Sequence, residues 1–135
     1  MKKLIIPIVA AAMLLGFTEC GKGGGGGGCN ETVMTVASIP AANSTEPASP
    51  GPDFPVQVNI TANKPTGGVN IEVKAREESK TTFFYNSGVV SSNSNTNNFT
   101  ITGTPATVVC VVEITVTSKS CATNKITLSY KYSKK

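Results

Sequence analysis

The chain has 135 residues, of which 15% are charged, with a formal net charge of +4, four cysteines, and neither histidine nor tryptophan. That length suits a single domain. The basic excess is scattered rather than gathered into a block, which argues against a nucleic-acid surface. Lack of histidine removes the commonest acid–base and metal-ligating side chain.

Lys2 and Lys3 precede an unbroken apolar run over residues 4–17, LIIPIVAAAMLLGF. The run has the length of a signal-peptide core and is too short to span a bilayer comfortably, so it predicts export. Phe17, Thr18, Glu19 and Cys20 come next. With the apolar run before it, Cys20 stands where a bacterial lipoprotein carries its lipidation cysteine, and this N-terminus resembles those of small Bacteroidota-type lipoproteins. The resemblance implies that Cys20 becomes the lipid-modified first residue of the mature chain. It further implies a membrane contact through that lipid and a place in the cell envelope, at the outer membrane. Glu19 departs from the small residue that normally precedes such a cysteine. The alternative is an ordinary signal-peptidase cut after Thr18 or Cys20, giving a secreted, unanchored protein. Gly21, Lys22 and six consecutive glycines at 23–28 then read as a tether. A phosphate-cradling loop would need a flanking strand, a helix and a Lys-Ser/Thr pair, and the sequence offers none of these.

Residues 33–39 (VMTVASI) have strand character, but Pro40, Pro47, Pro50, Pro52 and Pro55 crowd the stretch leading to the next strand. This zone suits either an edge strand or a semi-rigid stalk. The expected division is a leader over 1–20, a tether and stalk over 21–52, and a β domain over 53–135.

From Phe54 the alternation is regular. Val56, Val58 and Ile60 alternate with polar residues; after a turn at 63–68, Val69, Ile71, Val73 and Ala75 do the same, predicting two strands and a hairpin between them. A third apolar segment spans 81–91, a polar loop 92–98, and a short strand is marked by Phe99 and Ile101. Val108, Cys110, Val112, Ile114 and Val116 define the strongest strand, apolar on both faces at its start. Ile126, Leu128, Tyr130 and Tyr132 define the last. Six or seven short strands without a helical period predict an all-β, antiparallel two-sheet sandwich. In size and strand count it resembles immunoglobulin-like and fibronectin-III-like modules, by architecture only, since the Cys…Trp…Cys hallmark is missing. A small β-barrel is the alternative.

The cysteines leave choices open. Cys110 and Cys121 are close in sequence and form one candidate disulfide. A hairpin with its tip near Cys121, however, puts Cys110 about 25 Å up the strand, well beyond the roughly 4.4–6.8 Å between Cα atoms that a disulfide allows. A buried, unpaired Cys110 is the competing reading, with Cys29 better able to reach Cys121. No metal site is expected, as there is no C-x-x-C spacing.

No catalytic residue or cofactor is expected either. Glu77 and Glu78 are adjacent and point to opposite faces of extended chain, and Glu72 and Glu113 face outward by the alternation. No nucleophile–base spacing appears. Two features suit binding: Phe83 and Tyr85, which share one face of a strand, and the Ser/Asn/Thr loop at 91–98. The function these residues suggest is a non-catalytic envelope lipoprotein offering a β-sandwich for binding or structural support. An adhesive or glycan-binding secreted module, or a subunit held by an envelope protein partner, is the alternative.

Overall fold

A computed structural model describes residues 29–135. The leader, Cys20 and the glycine run all lie outside the described residues. One compact unit runs from Glu31 to Lys135. It is all-β, with strands β1 (Thr35–Ile39), β2 (Phe54–Ala62), β3 (Val69–Glu77), β4 (Phe83–Asn86), β5 (Val90–Ser92), β6 (Thr96–Ile101), β7 (Val109–Ser118) and β8 (Lys125–Ser133). These eight form two antiparallel sheets, β1-β2-β6 and β4-β3-β7-β8, with β5 pairing the other stretch of the β3 edge. The arrangement is the expected sandwich, with one or two more strands than the sequence suggests; it does not close into a barrel.

Period-2 patterning explains which faces meet. Val56, Val58 and Ile60 of β2 are buried while Gln57, Asn59 and Thr61 are not. Across the core lie Val69, Ile71, Val73 and Ala75 of β3, and Cys110, Val112, Ile114 and Val116 of β7, all fully buried. Each such aliphatic side chain contributes about 1.5–3 kcal/mol by leaving water. As the central strand of its sheet, β7 pairs with β3 from Val69↔Ser118 to Glu77↔Cys110 and with β8 from Val109↔Ser133 to Thr117↔Lys125.

Three expectations need correcting. β2 and β3 do not form a hairpin: β2 pairs β1 and β6, whereas β3 pairs β4, β5 and β7. An alternating strand buries its apolar face equally well beside a like neighbour or opposite one, and here residues 63–68 carry the chain from one sheet to the other. Gly68 supports that crossing with φ of +88°; a Cβ there would lie 2.7 Å from the Ser92 carbonyl oxygen.

Of the two readings of the zone leading to Phe54, the edge strand holds and the stalk, with its division at residue 52, does not. β1 pairs β2 from Thr35↔Ala62 to Ile39↔Gln57, and Met34 is 1% exposed. The connection after β1 lies along the free edge of β8, where Glu46 N–H donates to the Lys131 carbonyl (2.9 Å) and Lys131 N–H to the Ser44 carbonyl (2.9 Å). The connecting segment therefore covers a sheet edge that would otherwise present open backbone.

The polar stretch before Phe99 is partly strand. Asn97 faces inward, but its Nδ2 donates to the carbonyls of Ser94 (3.0 Å) and Val58 (3.4 Å), and its Oδ1 pairs with the Ser92 hydroxyl. Satisfied in this way, an amide is tolerated where an apolar residue would be expected.

Candidate functional site

The cysteines separate cleanly. Cys110 is a free, buried thiol, so the candidate pair with Cys121 does not form, while Cys29 and Cys121 are disulfide-bonded. Cys110 stands opposite Tyr132, well up the β7–β8 hairpin from its turn, as the strand geometry requires. Burial pushes its thiol pKa up, and Glu77 adds to this, the reverse of what a reactive cysteine needs.

Phe83 and Tyr85 do not form a joint exposed face. The β3–β4 register shifts between Ala75 and Arg76, pairing Ala75 with Tyr85 and Arg76 with Phe83. That bulge breaks the alternation at Phe84, so Phe84 and Tyr85 both pack against the core. Phe83 stays 38% exposed, with the Lys74 ammonium 4.9 Å from its ring centre. The 91–98 loop is held largely by its own contacts: Ser94 N–H donates to the Ser92 hydroxyl (3.0 Å), and Lys64 Nζ to the Asn93 carbonyl (2.6 Å). The outward carboxylates are paired, Glu113 with Arg76 Nε at 3.2 Å and Glu72 with Lys74 at 3.8 Å. Among the described residues no three His, Cys, Asp or Glu side chains gather as a metal site would require.

A cavity among the described residues lies elsewhere, and its origin is topological. β1 stops at Ile39, opposite Gln57, whereas β2 extends back to Phe54. Along this stretch β2 has only β6 beside it, while the connecting segment has crossed to β8. The gap is a groove of about 650 Å³. Pro55, which has no N–H, sits on the unaccompanied stretch of β2 and denies an incoming strand one donor.

Phe54, Phe99, Tyr130 and Tyr132 supply aromatic walls, and Pro40 and Pro47 line the side formed by the connection. The Phe54 and Tyr132 rings are 4.7 Å apart, those of Tyr130 and Tyr132 6.3 Å. Tyr132 shares a 2.7 Å hydrogen bond with the buried Thr104 hydroxyl. Burial raises the Tyr132 pKa to about 12, the Thr104 bond offsetting part of the rise. Tyr130, 3% exposed, is pushed higher still by burial, with Tyr132 and Glu46 adding to it. Both phenols therefore stay protonated at neutral pH.

Polar groups are few. Gln57 is engaged on both sides, donating to Asn98 Oδ1 (3.1 Å) and accepting from Asn59 Nδ2 (3.0 Å). Glu46 accepts from the Ser44 hydroxyl on one oxygen (2.8 Å) and is the one charged side chain lining the groove among the described residues.

Sequence reasoning missed this groove. It assigned Tyr130 and Tyr132 to a strand face and Glu46 to a stalk. The available signal was the run of prolines leading into an aromatic residue at Phe54, which could have marked a structured wall. No protein-family model matches the chain, and no curated protein matches it.

Proposed function

We propose that the protein is a non-catalytic, exported lipoprotein of the cell envelope, held at the outer membrane through Cys20 and presenting its β-sandwich as a binding module. One observation carries the reading: a signal-type apolar run leads to a single cysteine and a glycine-rich stretch, and the compact unit begins soon afterwards, at Glu31. Such an order suits a globular head borne on a short tether. The groove beside Tyr130 favours binding over a purely structural role, because its volume lies within the roughly 300–1,000 Å³ of ordinary small-molecule sites.

The test is metabolic labelling with palmitate in an expressing bacterium. Label should enter the wild-type chain and not Cys20→Ala, which should also move from the membrane to the soluble fraction. An unlabelled wild-type chain released in soluble form would replace the anchored reading with that of a secreted module.

A further inference from the structure

We propose that the groove between residues 46–49, β2 and β8 binds a small primary alkylammonium ligand, its ammonium on Glu46 and the Tyr130 hydroxyl and its apolar body along Phe54, Phe99 and Tyr132. The proposal rests on the binding-module reading and gives that module a ligand class. Two observations point the same way. The Tyr130 hydroxyl has no hydrogen-bond partner among the described residues, although the residue is only 3% exposed and lines the groove. Among the described residues the one sealed-off side-chain polar atom without a partner is Asn59 Oδ1, so the Tyr130 hydroxyl is open to the groove and can meet a ligand atom or water there.

The second observation is charge. In a chain of net charge +4, the only charged side chain lining the groove among the described residues is the Glu46 carboxylate. Glu46 is half-buried, and the Ser44 hydroxyl occupies only one of its oxygens. A carboxylate among aromatic rings favours a cation twice over, by direct attraction and by the negative ring faces. A primary ammonium also brings N–H donors for both the free carboxylate oxygen and the phenol oxygen. An anionic ligand would meet Glu46 with like charge, and a neutral one would leave the carboxylate partly desolvated without return.

The experiment titrates the purified full chain with hexylammonium, using hexan-1-ol and hexanoate as neutral and anionic probes of matched size. Binding is read by calorimetry and by amide chemical shifts. The ammonium should bind saturably, with shifts gathered at Glu46, Phe99 and Tyr130; the alcohol should bind at least tenfold more weakly and hexanoate more weakly again. Glu46→Gln keeps an acceptor for Ser44 and should reduce ammonium affinity tenfold or more, to the level of the alcohol. Tyr130→Phe keeps the ring and should cost the ammonium a few fold and hexan-1-ol less. The proposal fails if the ammonium does not bind, if all three probes bind alike, if the shifts gather elsewhere, or if folded Glu46→Gln binds as the wild type does. Should Glu46→Gln not fold, the probe comparison and Tyr130→Phe decide. Because the titration is done in solution, its outcome is independent of whether Cys20 carries lipid.

Discussion

Asn124 offers the sharpest test of how the N-terminal segment joins the sandwich. It sits in the β7–β8 turn, 5% exposed, and its side chain reads the backbone of residues 32–34 much as a neighbouring strand would. Oδ1 accepts from Met34 N–H at 3.2 Å, and Nδ2 donates to the Thr32 carbonyl at 3.2 Å and to Glu31 Oε1 at 2.9 Å. Asn124→Ala leaves the buried Met34 N–H without an acceptor, at about 1–3 kcal/mol, and removes a second bond worth about 1 kcal/mol. The expected loss is thus about 2–4 kcal/mol, before any contribution from Glu31. For a domain of this size that lowers Tm by roughly 10–20 °C. Urea denaturation measures the free energy, and hydrogen exchange at the Met34 amide should accelerate by more than the global loss explains. Asn124→Asp retains the acceptor for Met34 but sets a second carboxylate against Glu31, so its stability should recover on acidification. An Asn124→Ala protein within about 0.5 kcal/mol of wild type, with unchanged Met34 exchange, would refute the clamp.

The same contacts set further outcomes. The Glu31 carboxyl is held below its ordinary 4.5 by hydrogen bonds from Ser120, Asn124 and Ser118; a depressed folded-state pKa gives stability present above pH 4.5 and lost as pH falls through the lower folded value, so Glu31→Gln should flatten the acid limb of a stability–pH profile. Tyr132 is raised from 10.0 to about 12, so its contribution should be intact below pH 10.0 and disappear as pH climbs through about 12, visible as late phenolate absorbance coinciding with unfolding. Tyr132→Phe leaves the buried Thr104 hydroxyl without its partner and should cost about 1–3 kcal/mol in urea denaturation. Gly68→Ala and Gly88→Ala both place a side chain at positive φ, but only the former meets a backbone carbonyl, while Gly88 faces open space; Gly88→Ala should cost about 1–2 kcal/mol and Gly68→Ala distinctly more, compared by thermal melts.

Local patterning revealed the sheets because burial is written residue by residue. Val56, Val58 and Ile60 show a strand with one wet face, and Val109 and Val111 beside Cys110 and Val112 show a central one. Partnership between strands is not written that way. β2 and β3 alternate identically whether paired or opposed across a core, so their separation had to come from the structure. The bulge at Phe84 hides for a related reason: one extra residue reverses which aromatics point inward, and nothing in Phe83-Phe84-Tyr85 announces it. Asn97, half-buried, and Asn124, buried, are polar residues on inward positions, legible only once their backbone partners are in position. The groove was least legible, since it depends on where β1 stops relative to β2, a matter of register rather than composition. The disulfide argument succeeded because it used distance along a strand, which pleated geometry fixes in advance.

The sandwich has two poles, and the strand registers assign them. Glu31 rests on Ser118 and Asn124 at one pole; Phe54, Tyr132 and the neighbourhood of Lys134 occupy the other, which along β8 from Lys125 to Tyr132 is roughly 23 Å away. Cargo fused after Lys135 therefore lies at the Phe54–Tyr132 pole, whereas Glu31 is held at the opposite one. Immobilisation through the segment between Cys20 and Glu31 or through Lys135 should accordingly give different results in capture assays.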